Sequence, residues 1–285
     1  DARGLRVTGS ELVGLVPLAA MLEAGRHYLR RQQRSVGVGE TELIRIAVKS
    51  LGLEELAPFK PEERIIEYRL GRTAGRPLGG MSLIAFADET ASESPAPGGG
   101  SIAAYLGALG AALGTMVANL SAHKRGWDDR WEEFSRWAEA GQELKDHLLR
   151  LVDEDTQAFN RVMEAMGLPK GSVEEKASRR AALAAANRGA IEVPLEVLRT
   201  AAAAFPLLRA MAEHGNPASA SDAGVGALAL RAAMRGAWLN VRINLPGLGD
   251  QASGAAMLAE ADALVARAEA EEVAVLALVE AQLKR

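Results

Sequence analysis

The chain holds 285 residues, 48% hydrophobic and 25% charged, which is enough for one or two domains with full cores and speaks against disorder along its length. Its 33 Lys and Arg face 37 Asp and Glu for a formal charge of −4, and no basic stripe with interleaved aromatics runs along it, so nucleic acid is not an expected partner. Cysteine is absent, which removes disulfides, thiolate zinc sites and cysteine nucleophiles and points to a cytoplasmic setting. Aromatic residues make up 4%, too few for an aromatic-walled barrel. No signal peptide is evident, nor any window of about twenty uncharged apolar residues, so no membrane role is expected.

The chain opens at Asp1 without Met and runs directly into Leu5-Arg6-Val7-Thr8-Gly9-Ser10, as the interior of a fold would, which suggests a piece of something longer. Arg6 to Val16 has strand-like β-branched content, and Pro17 suits the first turn of a helix reaching to about Arg34. A second helix fits Glu40 to Leu51, ended by Gly52, and Pro61 opens a third. Residues 1–70 therefore read as a small α+β unit. The glycine-rich stretch 71–80 reads as a linker, and residues 81–285 as an all-α domain of six or more helices, with breaks near 95–100, 167–171, 215–217 and 246–254.

Ser94-Pro95-Ala96-Pro97-Gly98-Gly99-Gly100-Ser101 precedes a long apolar helix, and its glycines allow close backbone approach while free N–H groups at the helix start attract an anion. A tight turn before a buried helix is the competing explanation. The helix places Gly100, Ala103, Gly107, Ala111, Gly114 and Ala118 on one face and Ile102, Leu106, Leu109, Leu113, Met116 and Leu120 on the other, so burial all round is expected, with the small-residue face against another backbone, in this subunit or a second one.

In the helix expected over Glu143 to Met166, the stripe Leu144, Leu148, Leu151, Phe159, Val162 and Met166 carries Asp155 near its middle, while Asp153 points to the opposite, solvated side. A carboxyl on an apolar face loses water, which raises its pKa, and is a candidate general acid or base; a structural Asp bonded to backbone or Arg is the alternative. The helix after Gly215-Asn216-Pro217, with Ser219 or Ser221 as N-cap, sets Asp222, Gly226, Ala229, Ala233, Gly236, Asn240 and Asn244 on one face. Its amides suit a heteroaromatic ligand or a helix–helix joint. His27, His123, His147 and His214 share no metal-ligand spacing, and no metal is expected.

These ordered motifs resemble the formiminotransferase-cyclodeaminase family. The resemblance to its cyclodeaminase domain rests on Ser94 to Ser101, Leu151 to Phe159, Val193-Pro194-Leu195, Gly215-Asn216 with Ser221-Asp222, and Asn240 to Leu245. Gly9 to Pro17 and Pro61 to Tyr68 resemble the tail of the formiminotransferase domain, without its catalytic first part. The resemblance implies an all-helical homodimer, acting in histidine degradation and one-carbon folate metabolism, that converts 5-formimidoyltetrahydrofolate to 5,10-methenyltetrahydrofolate with release of ammonia. It implies folate as substrate, with or without a polyglutamate tail, and no cofactor. It puts the family's proton acceptor on Asp155. Ser94, Gly98, Gly99, Gly100, Ser101, Asp222, Asn240 and Asn244 are then expected around the substrate, with the glutamate tail at the Gly98–Ser101 helix start or at Lys124 and Arg125. A methenyltetrahydrofolate cyclohydrolase of the same family, or a non-catalytic helical assembly subunit, are the competing readings.

Overall fold

The computed structural model describes residues 10–71 and 78–284. The chain divides into two compact units, the first formed by residues 1–75 and 118–142 and the second by 76–117 and 143–285.

In the first unit, Pro17 occupies the N-cap position of α1 (Leu18–Arg31). Helix α2 (Glu40–Leu51) stops where Gly52 takes the left-handed conformation, at φ 67°, that its missing Cβ permits. The two helices pack closely because α1 carries Gly25 at the contact, where a Cβ would stand 2.8 Å from the carbonyl carbon of Leu43. Their apolar faces bury Leu18, Met21, Ile44, Ala47 and Val48 around Ile65, which joins the short helices α3 (Pro61–Arg64) and α4 (Ile66–Arg69). The strand expected over Arg6–Val16 is not found among the described residues. Val16 makes one isolated parallel bridge with Ile65, and positions 6–9 lie outside the described residues. A lone bridge has no neighbouring strand to extend its ladder. Of the expected linker, residues 72–77 likewise lie outside the described residues.

The second unit is helical throughout its described part. Helix α5 (Leu83–Thr90) is capped by the Ser82 hydroxyl, and α6 spans Gly99–Ala122. Helix α7 runs Trp131–Gly167, starting twelve residues before the expected Glu143, because Trp131 to Gln142 keeps the same period. Helix α8 (Val173–His214) opens on a Ser172/Glu175 capping box and continues through Pro194 and Pro206. Helix α9 (Ala220–Asn244) and helix α10 (Gln251–Leu283) pack on it and on each other. Both α6 and α7 contribute residues to each unit.

The glycines and alanines of α6 set the geometry of this unit. A Cβ on Gly110 would stand 2.9 Å from the Gly226 carbonyl oxygen, so α6 and α9 meet backbone to backbone, and Ala103 lies against Gly236 further along. On another side, Gly107 receives Leu148 of α7. Helices α7 and α9 therefore both run antiparallel to α6. Two expectations fail here. Helix α6 has 24 residues without a charge, so by length and composition it is apolar enough to cross a membrane; 61% of its most apolar window is nonetheless buried inside this fold. It is also not buried all round: the small-residue face is, but Leu109 and Met116 stand exposed on the opposite face.

Candidate active site

The antiparallel arrangement brings two distant parts of the sequence to the α6 start. Asp155 of α7 meets Gly100 and Ser101, and Asn240 of α9 meets Gly99, where a Cβ would lie 3.5 Å from its amide nitrogen. The Ser101 hydroxyl, fully buried, donates to Asp155 Oδ2 at 2.9 Å, and the Ser101 N–H also bonds the carboxyl. The Asp155 carboxyl thus takes the hydrogen bonds offered at the helix start, a place expected for a substrate carboxylate. A Cβ on Gly100 would stand 2.6 Å from Asp155 Cγ and 2.7 Å from Oδ2, so the glycine is what lets the carboxyl approach.

A cavity of about 220 Å³ opens beside this pair, walled by Gly98, Gly99, Gly100, Asp155, Thr156, Phe159, Val162, Asn187, Asn240 and Asn244. Among the described residues, Asp155 is its single ionisable lining residue. Burial pushes the Asp155 carboxyl above the usual carboxylate range, and the two Ser101 hydrogen bonds offset part of that rise. A carboxyl raised in this way holds a proton more readily than a free Asp, as a group that must take up and give back a proton requires. The C-terminal half of the Asp155 stripe is wall rather than core: Leu148 and Leu151 are buried, whereas Phe159 is 40% exposed and borders the opening.

The amides are held by a consequence of the α8 sequence. Pro194 has no N–H, so the Ala190 carbonyl four residues earlier lacks its helical donor, and Asn244 Nδ2 supplies one at 2.8 Å. Asn187, absent from the sequence-based set, lines the same cavity and donates to the Gly247 carbonyl at 2.6 Å. Its only signal in the sequence is a lone amide following an alanine run, too weak to single out.

The remaining candidates fall elsewhere. Asp222 lies in the first turn of α9, 18 residues before Asn240, which is about 27 Å along a helix at 1.5 Å per residue, and is not part of the cavity wall. Lys124 and Arg125 belong to the first unit, where the Lys124 ammonium sits 4.0 Å from the Trp127 ring centroid. Ser94 donates to the Ala96 carbonyl at 2.8 Å and shapes the loop before α6 rather than lining the cavity. Asp153 is not solvated. It is 3% exposed and accepts the Leu78 N–H at 2.9 Å, because the segment leading into α5 covers that side of α7. Among the described residues, no three His, Asp or Glu side chains converge as a metal site would require.

Comparison with known proteins relates the chain to one family. The family model described as formiminotransferase-cyclodeaminase matches residues 82–263, and that of the formiminotransferase domain matches residues 1–71. A formimidoyltransferase-cyclodeaminase from Gallus gallus is 40% identical over 254 residues, 88% of this chain and 46% of that protein. A methenyltetrahydrofolate cyclohydrolase from Methylorubrum extorquens is 40% identical over 190 residues, 67% of this chain and 91% of that protein. Among solved structures, a formiminotetrahydrofolate cyclodeaminase from Thermotoga maritima superposes with a TM-score of 0.62 at 33% identity, covering 71% of this chain and 97% of that one. The chain belongs to the formiminotransferase-cyclodeaminase family. It spans about half the length of the two-domain relatives it matches.

Proposed function

We propose that this chain is a formimidoyltetrahydrofolate cyclodeaminase, with residues 81–285 as the cyclodeaminase domain, 71–80 as a linker and 1–70 as part of a formiminotransferase domain. The observation that carries the reading is Asp155, a carboxyl with raised pKa at the wall of a cavity and fixed by Ser101. In the reaction, N10 of the folate attacks the formimidoyl carbon and a new C–N bond forms. The formimidoyl group reacts in its protonated amidinium form: Asp155 accepts the N10 proton, then delivers it to that group's NH₂ nitrogen, which leaves as ammonia while the amidinium charge passes to the N5–C–N10 methenyl cation. Atoms and charge balance without a redox partner, and one group serves as base and then acid, a role worth about 10²–10⁴-fold. Phe159 and Val162 offer the apolar wall a pterin ring requires.

A second reading, hydrolysis of the methenyl bridge by water, is favoured by the likeness to the Methylorubrum extorquens cyclohydrolase. The match of residues 1–71 to the formiminotransferase domain favours the deaminase. Purified protein given 5-formimidoyltetrahydrofolate is expected to form the methenyl chromophore and ammonia in equal amounts. Hydrolysis of added methenyltetrahydrofolate without any deamination establishes the second reading instead.

The working form in this proposal is a homodimer. The interface, however, is not the Ala and Gly faces expected from the sequence, since those are consumed inside the protomer. Leu109 and Met116 of α6 and Val225, Leu228, Leu239 and Ile243 of α9 are all exposed on adjacent helices, an apolar surface that a second copy would cover.

A further inference from the structure

A serine hydroxyl has one hydrogen to give, and Ser101 gives it to Asp155. The bond runs to Oδ2 at 2.9 Å, and an ionised carboxylate can only accept, so its direction is fixed. The Ser101 Oγ also lies 3.4 Å from the Thr156 hydroxyl oxygen. While Asp155 is ionised, the hydrogen in this second contact therefore comes from Thr156, which makes a chain: Thr156 donates to Ser101 and Ser101 to Asp155. The Thr156 hydroxyl is set aside for this contact. In Thr90 and Thr115, the helical hydroxyl donates to the carbonyl four residues back, at 2.7 and 2.8 Å. Thr156 forgoes the Val152 carbonyl at that offset, and among the described residues Ser101 is the one hydrogen-bond partner of its hydroxyl.

Ser101 is fully buried, whereas Thr156 lines the cavity beside Asp155, so Thr156 joins the cavity wall to the group that holds the carboxyl. At 3.4 Å the contact is longer than the about 2.7–2.8 Å usual between hydroxyls, and hydrogen bonds in an active site commonly tighten once substrate is bound. Among the described residues, α6, α8 and α9 bring no titratable or charged side chain to the cavity, and on α7 itself Glu154 is exposed while Asp153 accepts the Leu78 N–H. We propose that Thr156 is a positioning residue for ring closure, whose hydroxyl aims the Ser101 hydroxyl at Asp155 and strengthens that bond. Each donor in such a chain polarises the next. The inference rests on the folate reading above and deepens it.

The test is the kcat–pH profile, which reports the substrate complex, of Thr156→Val and Thr156→Ser beside the parent, with each fold checked by circular dichroism. Loss of the Thr156 hydroxyl weakens a bond that favours the Asp155 carboxylate. The acidic limb of Thr156→Val should therefore move to higher pH by at least about 0.3 pH unit, as a strengthening of about 10–30% per bond allows. Thr156→Ser keeps the hydroxyl and should keep the parent limb, and Thr156→Ala takes the place of the valine variant if that one fails to fold. In a Ser101→Ala background, removing the Thr156 hydroxyl should no longer move the limb, because the link is already gone. A smaller shift in Thr156→Val, or one that Thr156→Ser shares, overturns the inference, and a shift that persists without Ser101 overturns the route through it; in each case turnover leaves the folate reading standing. A parent that forms no methenyl product overturns the folate reading, and this inference with it.

Discussion

Replacing Gly100 by alanine should separate the position of Asp155 from the stability of the fold. The added Cβ would overlap Asp155 Oδ1 outright and stand 2.6 Å from Cγ, against an ordinary contact near 3.4 Å, so the carboxyl must retreat by about 1 Å or more. It can do so, because it is the end of a side chain and the α6 backbone is not. The retreat breaks or stretches the bonds from the Ser101 hydroxyl and N–H, a loss of about 1.5–3 kcal/mol for hydrogen bonds to a charged group, offset by up to about 1 kcal/mol from the better helix propensity of alanine. Unfolding in urea should therefore show a loss of between about 0.5 and 3 kcal/mol. Catalysis should suffer far more, since a displacement near 1 Å can cost about 10²-fold in a step that needs close reacting geometry. Initial rates of methenyl formation under saturating substrate give kcat directly. A Gly100→Ala protein that is folded and retains kcat within about threefold of the parent would refute the idea that this glycine exists to admit the carboxyl.

Ser101→Ala removes a contact that lowers the Asp155 pKa against burial, so the acidic limb of the kcat/KM–pH profile should move to higher pH; an unmoved limb separates Asp155 from the titration. The folded-state pKa of Asp155 is raised, so the folded protein holds the proton more tightly than the unfolded chain, and stability is lost as pH rises from the unfolded pKa through the folded one, with the full cost present above it. Thermal melts at neutral pH should accordingly find Asp155→Asn no less stable than the parent. Asp153→Ala leaves the Leu78 N–H buried without its acceptor and should cost about 1–3 kcal/mol in denaturant titration. Leu109→Glu with Leu239→Glu sets charges on the exposed α6 and α9 faces and should give a particle near the 30.1 kDa of one chain in light scattering, where the parent gives twice that.

How far the sequence leads depends on whether a signal is local. The stop of α2 at Gly52 and the start of α1 after Pro17 are backbone properties of single residues, and both are legible. Asp155 stands out because a carboxyl on an apolar stripe has one helical period to answer to. Asp153 misleads by the same rule, since what covers it is Leu78, 75 residues away, and no periodicity reports that. The outer face of α6 is apolar in sequence and exposed in the protomer for a similar reason: hydrophobicity says that a face wants a partner, not whether the partner is in the same chain. Asp222 and Asn240 share a helix face yet lie at opposite ends of it, so a shared face alone does not make a site. The α6–α7–α9 crossings, set by Gly100, Gly107, Gly110 and Gly226, determine which end carries the cavity.

Asp155 as the group that moves the proton in ring closure is tested by kcat and folate affinity of Asp155→Asn beside the parent. Asn keeps the size and the ability to accept from Ser101 but cannot take up the N10 proton. The variant's kcat should fall by about 10²–10⁴-fold while folate affinity changes by less than about threefold. A folded Asp155→Asn protein that forms methenyltetrahydrofolate with kcat within about tenfold of the parent would contradict it.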